Sequence, residues 1–141
     1  QKFTYNVVKN VTNWEEMYDL TSNFNPVTGI FTAPRDGIYT VSFTFNFVNG
    51  PVLANSSVES QIIKSGNTVA VKCLKTYGKS TRPAQSAGNC VSSIFLKEGE
   101  TINARLLQLI DNTTSGGRGL RSSTTITNPF FGFNNLTIVE Q

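Results

Sequence analysis

Histidine is missing from this chain of 141 residues. Its absence removes Ser-His and Cys-His nucleophile pairs, in which an imidazole takes the proton of the attacking group. It also removes His-containing zinc sites, and two cysteines are too few for a four-thiolate site. Charge is scarce: Asp, Glu, Lys and Arg make up 15% of the residues, against a typical ~25%. Only nine residues are acidic, and Glu15, Glu16, Glu98 and Glu100 fall in loop or strand-edge settings, so the chain is not expected to be an enzyme. Twelve basic residues leave a net charge of +3, too even a balance for the one-sided face of a nucleic-acid binder. No apolar run approaches the ~20 residues of a membrane span, so no membrane insertion is expected. The chain opens on Gln1 without a Met, a leader or a targeting motif, which reads as a removed leader or an excised domain.

What fills the space left by charge is uncharged and polar: 15 Asn, 17 Thr and 13 Ser. Alongside them stand 10 Phe, 12 Val and 9 Ile, enough large apolar residues to exclude disorder. The length suits one domain over residues 1–141. Strong helix formers are few, with 6 Ala, 9 Leu and a single Met, Met17. Short β-branched and aromatic runs recur instead, bounded by Gly, Pro, Asn and Ser. They predict strands over 4–8, 29–32, 37–48, 57–63, 68–74, 90–96, 101–109, 124–126 and 132–139. Turns are expected at 25–29, 33–37, 64–67 and 97–100, where Pro and Gly supply special backbone angles. Two longer loops, 75–88 and 111–123, are the natural places for function.

The clearest strand is 37–48. Tyr39, Val41, Phe43, Phe45 and Phe47 alternate with Thr40, Ser42, Thr44 and Asn46. Period two puts the first set on one sheet face. At about 1.5–3 kcal/mol for each large side chain, that face must be buried. The hydroxyl-rich face suits solvent or a polar contact between subunits.

Cys73 and Cys90 lie 17 residues apart. An even count in an Asn- and Thr-rich, Met-poor chain points to an oxidising compartment and a disulfide; two buried free thiols are the alternative. Four Asn-x-Ser/Thr sequons begin at Asn10, Asn55, Asn112 and Asn135. In a chain this rich in Asn, Ser and Thr they arise by chance as readily as by design. The first three are candidate glycan acceptors, whereas Asn135 falls in an expected strand.

Residues 19 to 43 resemble the signature of the C1q-domain family. Asp19, Phe24, Phe31, Gly37, Tyr39 and Phe43 stand at its spacing, and the segment from Phe31 through Ala33, Pro34, Arg35, Asp36 and Gly37 to Tyr39 is the most telling. Leu96-Lys-Glu-Gly-Glu-Thr-Ile102 resembles the approach to a late strand of the family, and Phe130-Phe-Gly-Phe133 its closing strand. Val41 stands where the family has Phe, and the first aromatic position holds Asn13, with Trp14 one residue on. Both departures swap or shift core volume without threatening the fold. The resemblance implies a ten-stranded antiparallel jelly roll of two five-stranded sheets. It also implies a secreted homotrimer, with Gly37 permitting the turn into the long strand and Tyr39 and Phe43 filling core and trimer seam. No Gly-x-y repeat is present, so no collagen stalk is expected within this chain.

Function then has to be read from loops. Lys72, Lys75, Lys79 and Arg82, with Tyr77 among them, form the densest basic run, between the two cysteines. It reads as an anion-binding face for acidic glycans, Tyr77 stacking on a sugar ring, or as a solvated loop kept soluble by its charge. Arg118 and Arg121 belong to a second, Gly-rich loop that could also meet a ligand. Some relatives carry calcium at the trimer apex; of Asp19, Asp36 and Asp111, Asp111 at the end of a strand is the best single candidate here, with no other cofactor expected. The leading expectation is a recognition protein for extracellular carbohydrate or microbial surface patterns. An extracellular matrix protein and a cytokine-like receptor ligand are the alternatives.

Overall fold

The computed structural model describes residues 1–84, 86–109, 117–122 and 134–141, the side chains of 82–84 excepted. The expected strand 124–126, and the part of 132–139 before residue 134, lie outside the described residues. The strands are β1 (Lys2–Phe3), β2 (Lys9–Asn10), β3 (Phe24–Asn25), β4 (Ile30–Thr32), β5 (Gly37–Asn46), β6 (Gly50–Val52) and β7 (Ser56–Lys64). They continue with β8 (Thr68–Tyr77), β9 (Ser80–Ala84), β10 (Ala87–Leu96), β11 (Thr101–Leu109), β12 (Arg118–Gly119) and β13 (Asn135–Glu140). No helix among the described residues is long and apolar enough to cross a membrane.

One antiparallel sheet runs β10-β5-β13; the other runs β3-β4-β11-β7-β8, with β2 also on β11. Two short ribbons, β1 with β12 and β6 with β9, complete the frame. The antiparallel all-β jelly roll is as expected, but the described strands divide three and six rather than five and five. The extra pieces are two- and three-residue strands in the first 32 residues. One expected strand, 4–8, is instead a turn between β1 and β2. Asn6 enters the left-handed region at φ 59° there, and its N–H donates to the Gln108 carbonyl at 2.6 Å.

β5 carries the sandwich. Tyr39, Val41, Phe43, Phe45 and Phe47 are all buried, as period two requires. Phe43, Phe45 and Phe47 pack with Phe3, Val58 and Leu106, while Tyr39 and Val41 pack with Ile62, Ile94 and Ile102. Each set draws on both sheets, so the core lies between them. These aromatics are covered within a single chain. Tyr39 and Phe43 are therefore core residues rather than a seam between copies, and the Tyr39 hydroxyl donates to the Arg35 carbonyl at 2.9 Å.

The other signature positions have local causes. The Asp19 carboxylate accepts the Thr21 N–H at 3.0 Å and the Phe24 N–H at 2.9 Å, which sets the chain up to enter β3. Burial opposes its ionisation, but these bonds and that from the Thr21 hydroxyl hold its carboxyl below the ordinary range. Asn13 takes φ 58°, which turns Trp14 inward to meet Phe43 edge-on at 6.1 Å. The shifted aromatic thus still reaches the core. Gly37 needs no special backbone angle; a Cβ there would sit 3.4 Å from the Glu140 carboxylate and 3.5 Å from the Tyr39 ring. Glycine is required instead at Gly29, among other places, with φ +72° and the Val11 carbonyl 2.3 Å from where a Cβ would stand.

Candidate functional site

The basic run falls mostly on strands. β8 continues to Tyr77 and β9 starts at Ser80, so only Gly78 and Lys79 of its first part form a turn. The expected loop 75–88 is therefore largely strand, made of the end of β8, all of β9 and the start of β10. Thr and Tyr at 76 and 77 favour strand, and Ser56 and Ser57 of β7 pair with them.

Strand alternation then splits the cations. Lys72 lies opposite Gln61, and its ammonium pairs with the Glu59 carboxylate at 3.2 Å. Lys75, three residues on, lies on the opposite face of β8, where its Cβ would stand 3.6 Å from a Cβ added at Gly88 of β10. Lys75 and Lys79 are exposed and make no ion pair among the described residues. The backbone of Arg82 is placed on β9, but its side chain lies outside the described residues.

Tyr77 is half-buried against the core, and its hydroxyl donates to the Ala87 carbonyl at 2.8 Å. Burial pushes its phenol up to about 12, against the pull of the Arg118 charge. Its ring is engaged inside the sandwich, which takes it out of the expected stacking role. Arg118 is buried, at 2% exposure, donating to Ser86 Oγ at 3.2 Å and to the Pro51 carbonyl. Its guanidinium ties β12 to β6 and to the approach to β10 instead of facing a ligand. Arg121 is half-buried and donates to the Phe47 carbonyl at 3.3 Å and to Asn49 Oδ1. The structure thus leaves Lys75, near the end of β8, and Lys79, just beyond it, exposed, and engages Tyr77, Arg118 and Arg121 in contacts of the fold.

Cys73 and Cys90 form a disulfide, with Cα atoms 5.5 Å apart. It joins β8 to β10, the edge strand of one sheet to the edge strand of the other. The basic margin therefore stands directly beside a covalent tie.

Asp111, the calcium candidate, and the sequon at Asn112 lie outside the described residues. Among the described residues no three His, Cys, Asp or Glu side chains converge as a metal group would.

Two further features were not read from the sequence. A shallow groove of about 630 Å³ on the β3–β4 hairpin is lined by uncharged residues, among them Asn23, Asn25, Pro26 and Thr28. The Asn25-Pro26 turn was its only sequence signal. The second feature is the outer face of β10-β5-β13. Phe95 lies opposite Ile38, Val91 opposite Ser42, and Val139 opposite Thr40. Ile38, Val91, Phe95 and Val139 are each about half exposed, at 49–53%. They interrupt the hydroxyls of Thr40, Ser42 and Ser93, so the face is mixed rather than polar.

A family model described as the C1q domain matches residues 2–126. No curated protein matches the chain. Among solved structures, the chain is similar to the globular domain of zebrafish complement 1qA protein, at 15% identity and a TM-score of 0.60. That match covers 85% of this chain and 82% of the other. At such identity the likeness speaks for the fold.

Proposed function

The chain belongs to the C1q-domain family, and on that ground we propose that it is a secreted recognition protein, a homotrimer that binds carbohydrate or microbial surface polymers. The observation that carries the ligand reading is the margin at Lys75 and Lys79, two exposed ammonium groups without a carboxylate partner among the described residues. Exposed cations without a carboxylate partner raise the local positive potential and so attract an anion. The trimer reading is supported by the exposed apolar side chains on the outer face of β10-β5-β13. In a trimer each margin is presented three times. Weak single contacts with a repeating polymer then gain by about 10²–10⁴, where the spacing matches.

Binding should weaken as salt rises, because exposed charges are screened over ~8 Å at physiological ionic strength. The test is a glycan array at physiological salt, followed by the joint substitution Lys75→Ala, Lys79→Ala and Arg82→Ala. The substituted protein should keep its assembly and lose its anionic glycans. Lys72 is left out of the set because Glu59 already answers its charge. Undiminished binding by the substituted protein would reduce this margin to a solvated edge.

A further inference from the structure

Of the sequons within the described residues, we propose that Asn55 carries an N-linked glycan and that Asn10 and Asn135 do not. The inference rests on the secreted reading given above. Three sequons lie within the described residues, and their acceptor amides stand in three different situations.

Asn10 is a strut. It sits half-buried on β2, and its Oδ1 accepts from Arg105 Nε at 2.6 Å. The same guanidinium reaches the Gly66 carbonyl at 3.2 Å and Asn67 Oδ1, so the amide links β2 and β11 to the β7–β8 hairpin. Its backbone carbonyl accepts from Gln1 Nε2 at 2.6 Å. The amide that would carry a sugar is thus half-buried and pinned through its Oδ1.

Asn135 is exposed, but it opens β13 opposite Thr44, in the row next to Val91, Ser42 and Thr137. Its Oδ1 is held by the hydroxyl of its own sequon, Thr137 Oγ1 at 2.6 Å. A glycan there would lie across the outer face proposed to meet a neighbouring copy.

Asn55 stands in the turn between β6 and β7, at φ 62°, a left-handed angle that asparagine tolerates. Its side chain is exposed and makes no hydrogen bond among the described residues. A surface turn of this kind is the setting a sequon needs. In the transfer, Nδ2 attacks C1 of a lipid-diphosphate-linked oligosaccharide. The new C–N bond replaces the C–O bond to phosphate, the lipid diphosphate leaves, and an amide proton passes to a base of the transferase. Ser57, whose hydroxyl completes the sequon, is buried at 8% exposure once β7 is paired. Transfer therefore precedes the docking of β7, while the finished glycan stays outside the fold.

The test expresses the full chain behind a cleavable secretory leader in eukaryotic cells. Entry to the lumen then does not depend on how the natural chain travels, and failure of the secreted reading stays separate from failure of this one. The secreted protein is deglycosylated by an amidase in heavy-oxygen water and mapped peptide by peptide. The expected result is an isotope mark at Asn55, lost in Ser57→Ala and kept in Ser57→Thr, with none at Asn10 or Asn135. No mark at Asn55 in folded secreted protein overturns the proposal, as does a mark at Asn10 or Asn135. A mark at Asn55 that survives Ser57→Ala reports deamidation and overturns it as well.

Discussion

Tyr77 shows how one side chain can belong to two readings. By sequence it is an aromatic among four cations; in the fold its ring packs on the core and its hydroxyl meets the Ala87 carbonyl. That placement has a titration consequence. Burial raises the phenol to about 12, above the ~10 of an unfolded tyrosine. The neutral phenol thus contributes stability that is complete below pH ~10 and is lost as pH rises through about 12. Absorbance titration of phenolate in the folded protein should show a late component near 12, absent from Tyr77→Phe. If Tyr77→Phe leaves the titration curve unchanged, the ring is not held where the fold puts it. Arg118 teaches the same lesson. Nothing in its Gly-rich neighbourhood foretells burial, because its partners Pro51 and Ser86 are 67 and 32 residues away.

At the scale of the strand, legibility follows the range of the cause. The buried face of β5 could be read directly, since alternation is local and the side chains are large. Asp19 was legible only as a signature position; its bonds to Thr21 and Phe24 give the reason. How strand alternation divides the cations between faces was not legible. It depends on whether β8 ends at residue 74 or continues to Tyr77, and its pairing with Ser56 and Ser57 decides that. The β8–β10 connection is the element most open to a direct test. Removing the disulfide by Cys73→Ser and Cys90→Ser should cost about 3 kcal/mol in the chain-entropy model for a loop of this length. A denaturant melt of oxidised and substituted protein measures it. Equal midpoints would mean that packing between β8 and β10 already fixes that edge.

For the molecule as a whole, assembly can no longer be argued from the aromatics of β5, which the single chain buries. It rests on the outer face, where Ile38, Val91, Phe95 and Val139 remain half exposed. Placing charge there should separate copies without touching the core. Val91→Glu with Phe95→Glu should sediment as a folded monomer at micromolar concentration, while the parent sediments as a trimer. A parent that is itself monomeric would sink the trimer, and a trimeric variant would move the contact to another surface.

The tie between β8 and β10 also bears on what a ligand would meet. Lys75 is two residues from Cys73 on a strand stitched to the opposite sheet. The stitch and the Tyr77 bond hold the backbone beneath that lysine from both sides. Much of the ordering that a flexible loop would undergo on binding is therefore completed when the chain oxidises. A polymer arriving at this margin would encounter a pre-shaped ledge, with only the ammonium arms left to be arranged.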